Sequence, residues 1–200
     1  STFDKRVEST LSPIAAILGL MDLDFGVAKF ENCAPLMQLL HSTEKYDLLI
    51  TELFMTDFPL LFAEKFKVPI ISYSANRLQQ RFTSRVANPS NPSYIPSQML
   101  FHSSSMNFIQ RVQNTVLYLQ TIITYNTWNL RNDDKVFQYF LGPSAPSLFD
   151  VIKNTSIIFT NSYMLLTPVF PTVPAVVQVG GMHIKPTSEL PKVCYLASQR

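Results

Sequence analysis

Apolar residues recur along this chain at two periods, and the switches between them mark its elements. From Ser1 to Glu44 the spacing is mostly helical: in CAPLMQLLHSTEKYD, Leu36, Leu39 and Leu40 share one face, and Pro35 fits a first turn. YDLLI then gives a short β-prone apolar run, the mark of a buried parallel strand. FPLLFAEKFK reads as an amphipathic helix turning Leu60, Leu61 and Ala63 to Phe66 inward, and VPIISYS as the next strand. Strand, helix and strand in so short a stretch predict a right-handed βαβ crossover, the unit of an α/β, Rossmann-like parallel sheet with flanking helices.

The stretch from Asn76 to Ser105 breaks both periods. Pro89, Pro92 and Pro96 forbid a regular ladder, so a long surface loop is expected, and loops of this length are usually functional or disordered. Phe82, Tyr94 and Phe101 argue against plain disorder. From Met106 to Leu130, the residues Ile109, Val112, Val116, Leu119 and Ile123 keep the rhythm of one long helix. Asn132, Asp133 and Asp134 are expected to break it and to cap a short second helix that Gly142 and Pro143 end. SAPSLFDVIKN predicts a further short helix, TSIIFTNS a strand, PAVVQVGG a last strand closed by two glycines, and HIKPTSELPK a linker.

Composition narrows the class. Of 200 residues, 46% are hydrophobic and 15% charged, enough for a core and little sign of disorder. Fifteen Phe and eight Tyr suit such a core, and also a pocket for a flat, greasy ligand. A net charge of +2 with scattered basic residues gives no nucleic-acid footprint. Cys33 and Cys194 stand far apart and form neither a CxxC nor a metal pattern. No apolar run reaches the length of a membrane span, and the opening stretch, with Asp4, Lys5 and Arg6, has no signal-peptide pattern. The chain starts without Met, which predicts that it is a piece of a longer protein.

Two carboxylates stand where the first strand ends. Ligands of open α/β sheets bind in the crevice beyond the carboxyl ends of the strands, where Glu52 and Ser72 to Ser74 fall. Glu52 is thus either an orienting acid in that crevice or a solvated acid at a strand end. Asp57, two residues before Pro59, suits a helix N-cap first. His41 fits the C-terminal end of a helix, and His102 and His183 lie in loops. None has a partner at metal-ligand spacing, and no metal site is expected. No G-x-S-x-G, G-x-G-x-x-G or P-loop pattern occurs among only five glycines. Asn154-Thr155-Ser156 is the single N-x-S/T sequon with a permissive middle residue, a glycosylation signal for a lumenal or secreted setting.

Six segments in order, YDLLITELFMTD, FKVPIISYSA, NPSNPSYIP, FIQRVQNTVLYL, KNTSIIFTNS and VVQVGGMHIKP, resemble the UDP-glycosyltransferases, above all the arthropod-type, membrane-bound branch. The likeness runs from about Phe25 to Pro191. It implies the GT-B arrangement, two Rossmann-like lobes across a cleft. Residues 1–186 would be a partial N-terminal, acceptor-binding lobe lacking its first strands, and residues 187–200 a linker or divergent tail. The UDP-sugar-binding lobe would lie outside this chain. The reaction implied is inverting transfer of a hexose from UDP-sugar, a co-substrate rather than a cofactor, to a small lipophilic acceptor, without metal. A histidine acts as general base, oriented by a carboxylate at a strand end.

Residue by residue, that carboxylate falls on Glu52, where many relatives carry Asp, and Asp57 stands as second candidate. The base matches none of the three histidines and would lie upstream of Ser1. Ser74, Asn76, Phe82, Tyr94 and Phe101 would shape the acceptor pocket. Tyr163 replaces a histidine usual in the family, and the ending after Lys192 departs from it. The full-length protein is expected to carry a C-terminal membrane helix in the endoplasmic reticulum, and this chain alone is expected to be inactive. The rival reading is a non-catalytic lipophile-binding lobe.

Overall fold

The computed structural model describes residues 32–54, 56–100, 102–163, 167 and 170–185. All four strands expected in this span form: β1 (Leu49–Glu52), β2 (Ile70–Ser74), β3 (Thr155–Thr160) and β4 (Val176–Gln178). They make one wholly parallel sheet in the order β1-β2-β3-β4. The α/β architecture with flanking helices is therefore as the pattern indicates. Glu52 pairs in register with Tyr73, at the carboxyl end of the sheet. Among the described residues β1 and β4 are the two outer strands. On β2, Ile70, Ser72 and Ser74 turn to one buried face.

Between β1 and β2 the chain passes through a 3-10 turn, Phe58–Leu60, into α2 (Leu61–Phe66), after α1 (Ala34–His41) has preceded β1. Leu60, Leu61, Phe62 and Ala63 are buried in the core beneath the sheet's helices. Each large side chain among them contributes about 1.5–3 kcal/mol by leaving water. Lys67 ends α2 in the left-handed region, at φ 53°. The last carbonyls of α1 are met by Lys65 rather than by His41. Its ammonium donates to Leu39 O (2.9 Å), Leu40 O and Ser42 O (2.8 Å), so one helix caps another. Past β4, Gly180 N donates to Ser162 O at 3.1 Å, and a Cβ there would sit 2.6 Å from that oxygen. That approach requires glycine.

The excursion after β2 folds into a 3-10 segment, Gln80–Val86, and a proline-rich loop, then enters a long helix. Asn107 and Gln110 form a capping box, each side chain accepting the other's backbone N–H at 3.0 Å. The helix runs as α3 (Phe108–Thr124), a π turn (Tyr125–Asn129) and α4 (Leu130–Leu141). It does not break at Asn132 to Asp134, as the residue types suggest. Those acids serve neighbouring elements instead of their own helix. Asp133 accepts the Thr56 hydroxyl, and Asp134 accepts the backbone N–H of Leu148 at 2.7 Å, where α5 (Leu148–Lys153) begins. The break in regularity comes earlier, where Leu130 N reaches back five residues to Tyr125 O.

Ile109, Val112, Val116, Leu119 and Ile123 do lie along one helix, but all are exposed. The one buried residue of α3 is Asn114. No helix among the described residues is long and apolar enough to cross a membrane. Asn114 ties α3 to the proline-rich loop: its amide donates to Pro92 O (2.6 Å) and Ile95 O (2.8 Å) and accepts from Ser97 N (2.8 Å). Replacing Asn114 with Ala leaves these buried groups unpaired, at about 1–3 kcal/mol each where water cannot reach. Asn114→Ala is expected to lower the unfolding midpoint and to speed protease nicking within residues 90–99. An unchanged nicking rate would mean that the loop holds its shape without this anchor.

Candidate functional site

A cavity of about 260 Å³ opens just past the carboxyl end of β2. Residues 77–81, where the chain leaves the strand, form one wall, and residues 95–99 of the proline-rich loop form the other. Thr121 of α3 and Phe170 complete it. Arg77 Nη2 donates to Pro96 O at 2.6 Å and its guanidinium lies 5.9 Å from the Phe170 ring centre. Gln80 and Gln98 brace the two walls, donating to Ile95 O (3.2 Å) and Arg77 O (2.5 Å). Arg81 Nη2 donates to Phe54 O at 2.5 Å. The cavity wall is thereby tied to the loop two residues beyond Glu52.

Behind this wall lies a buried polar cluster. Asp57 is 4% exposed, and its carboxylate accepts from Arg85 Nη2 and from the Tyr125 hydroxyl. Arg85 Nη2 also donates to the Tyr125 oxygen at 2.9 Å. Burial works against the Arg85 cation, but Asp57 and Tyr125 hold its pKa above the ordinary value. Burial first, then the Asp57 charge, raises that of Tyr125, so the phenol stays protonated. The Arg81 and Arg85 guanidiniums each lie 4.7 Å from the Phe82 ring centre, and the ring meets Tyr125 edge-on at 5.7 Å. Asp133 joins from α4, accepting from Asp57 N at 2.5 Å and Thr56 Oγ1 at 2.8 Å. Burial raises its pKa to about 7, against the pull of those hydrogen bonds.

With sheet, cavity and cluster in place, the chain can be set beside known proteins. The family profile described as UDP-glucoronosyl and UDP-glucosyl transferase matches residues 26–199. The chain is 39% identical over 193 residues to UDP-glycosyltransferase UGT5 of Dactylopius coccus, covering 94% of this chain and 37% of that protein. UDP-glucosyltransferase 2 of the same insect is 34% identical over 152 residues, 74% of this chain and 29% of its own length. The chain belongs to the UDP-glycosyltransferase family. Human UDP-glucuronosyltransferase 2B10 is 29% identical over 152 residues, 74% of this chain and 28% of its own. The chain thus spans under two-fifths of these relatives' length. No solved structure gives a match.

Within this UDP-glycosyltransferase lobe the residues singled out in the sequence fall at different depths. Glu52 is exposed at the tip of β1, and no hydrogen bond or ion pair engages its carboxylate among the described residues. Ser74 follows Tyr73, the register partner of Glu52, so its side chain turns to the opposite, buried face of the sheet, its hydroxyl unpartnered. Asp57 precedes a helical turn as expected of a cap, but its side chain caps nothing; the Arg85 cation draws it inward. Phe82 is a correction as an acceptor-wall residue, because it is 1% exposed and packs in the core under the arginines. Asn76 and Tyr94 are exposed and do not line the cavity, and Phe101 lies outside the described residues. Asn154 is exposed between α5 and β3.

Arg77, Arg81, Arg85, Asn114 and Tyr125 were not singled out in the sequence. The arginines left a trace, three at four-residue intervals in NRLQQRFTSRV. Nothing local could pair Arg85 with an acid 28 positions earlier.

Removing the acid of the cluster strands a buried cation. Asp57→Ala is expected to cost about 3–5 kcal/mol, while Asp57→Leu combined with Arg85→Met recovers much of it; denaturant melts of the three proteins check this. Asp133 supplies a pH signature. With its folded pKa near 7 and its ordinary value 3.8, the native state keeps a proton that the unfolded chain has already lost. Its stabilising contribution is complete below the lower value and is lost as pH rises through the upper one. Between pH 4 and 8 the wild-type midpoint should fall relative to Asp133→Asn; a constant gap would remove this role.

Proposed function

We propose that this chain forms part of the acceptor-binding lobe of an inverting glycosyltransferase that moves a hexose from a UDP-sugar to a small, largely lipophilic acceptor. The observation that carries this reading is the cavity at the carboxyl end of a parallel sheet, where α/β folds bind ligands, tied by Arg81 to the loop after Glu52. Family membership favours UDP-sugar chemistry over other uses of the same architecture.

In this reading a histidine from outside this chain takes the acceptor hydroxyl proton. The acceptor oxygen bonds to the anomeric carbon as the bond to UDP breaks, and the electron pair leaves with the diphosphate. Glu52 orients the imidazole and balances its cation as it forms. Its lack of a partner supports the assignment, since a carboxylate already engaged, like Asp57, has less to offer a developing charge. The exposed Asn154 sequon favours a lumenal setting, in keeping with a membrane-anchored protein of the endoplasmic reticulum.

In the full-length protein, Glu52→Gln is expected to lower kcat by about 10²–10⁴-fold with little change in acceptor KM, while Glu52→Asp keeps most activity. A fully active Glu52→Gln enzyme would remove the orienting role. Acceptor binding with no transfer from any UDP-sugar would favour the rival, a non-catalytic lipophile-binding lobe.

A further inference from the structure

Resting on that reading of the cavity as the acceptor site, we propose that it takes acceptors bearing an acidic group, held by Arg77 beneath a flat ring system. Two arginines, Arg77 and Arg81, line a cavity whose other walls include Ile95, Pro96, Met99 and Phe170, and no acidic residue among the described residues lines it. Arg77 is half-buried and makes no ion pair among the described residues. Burial lowers its pKa, and no neighbouring acid offsets the effect. Its Nη2 serves Pro96 O, which leaves the rest of a five-donor fork for a ligand.

Arg81 is 5% exposed, and its buried Nε has no partner, as is also true of Nε and Nη1 of Arg85. It too has no carboxylate in contact among the described residues, though Asp57 lies close enough to favour its charge. Arg85, four residues on, shows how this fold settles a purely structural guanidinium: a carboxylate and a phenol are placed against it. The two arginines at the cavity are not treated this way. A guanidinium out of water needs an anion or loses free energy, and a carboxylate matches its fork in two parallel bonds. Phe170 beside Arg77 offers a flat wall on which an aromatic ring can lie. The small volume suits a compact aromatic acid with a separate hydroxyl as the nucleophile.

The anion could also belong to the donor's diphosphate, and the test separates the two sources. In the full-length protein, kcat/KM is measured for 4-hydroxybenzoate and its methyl ester, with UDP-glucose and UDP-glucuronate as donors. The acid is expected to be preferred. Arg77→Gln should lower kcat/KM for the acid by about 10- to 100-fold, the weight of a charged hydrogen bond, and leave the ester and the UDP-sugar KM unchanged. Equal loss for acid and ester overturns the proposal, and a rise in UDP-sugar KM alone assigns the anion to the donor and overturns it too.

A measurement without variants covers the case of a misfolded one. Benzoate should inhibit competitively against the acceptor where methyl benzoate does not, and equal inhibition by both overturns the proposal. If neither compound accepts sugar, calorimetric titration decides. Binding of the acid that Arg77→Gln abolishes upholds the inference and removes the transferase reading. Transfer without preference for the acid does the reverse.

Discussion

The buried contact between Asp57, Arg85 and Tyr125 is the constraint on which the described structure turns. It joins three distant parts of the chain: the exit from β1, the 3-10 segment after β2, and the π turn of the long helix. Each member alone would be costly to bury; the Asp57 carboxylate, the Tyr125 hydroxyl and Arg85 Nη2 pair with one another only if all three elements dock, while Arg85 Nε and Nη1 stay unpaired. The π turn follows from this demand. A residue inserted into the helical ladder places Tyr125, Asn129 and Leu130 all inward, which a plain α-helix of this sequence would not do for each. The cluster therefore fixes the segment that carries Phe82 and Arg81, and with it the inner wall of the cavity.

The sheet end beneath is built to let that segment approach. Ser72 and Ser74 on β2, with Thr160 at the end of β3 and Ser162 just past it, present small buried hydroxyls. Thr160 and Ser162 bond each other at 2.8 Å, and the 3-10 segment lies against β3. Small side chains give up apolar burial, worth about 25 cal/mol per Å², in return for a close approach of backbone.

What could be read in the sequence followed from local rules. The four strands, α2, and α5 with its Ser147 cap are set by short apolar runs and by residues that bond their own neighbours. What could not be read depends on partners far away in the chain. Asp133 and Asp134 look like a helix start, yet their acceptors are filled by Thr56, Asp57, Ser147 and Leu148. Periodicity in α3 identifies an apolar stripe but not what covers it, and among the described residues it faces outward. Phe82 illustrates the same limit: an aromatic residue in a long loop suits a ligand wall, but two guanidiniums and a tyrosine ring claimed it for the core.

The two carboxylates at the end of β1 divide the work by burial. Asp57 sits where its charge is needed at all times, because Arg85 is charged at all times, and every contact it makes is present in the resting protein. Such a group cannot turn toward a second cation without stranding the first, so it has little free energy to give to a reacting centre. Glu52, five residues earlier and at the tip of the strand, has no such obligation among the described residues. In the reading proposed above, Glu52 meets a cation that exists only while a proton is in transit, and so must stay unpaired in between, yet be held by rigid backbone. The end of a hydrogen-bonded parallel strand, anchored by Leu53 N to Tyr73 O at 2.7 Å, meets both conditions.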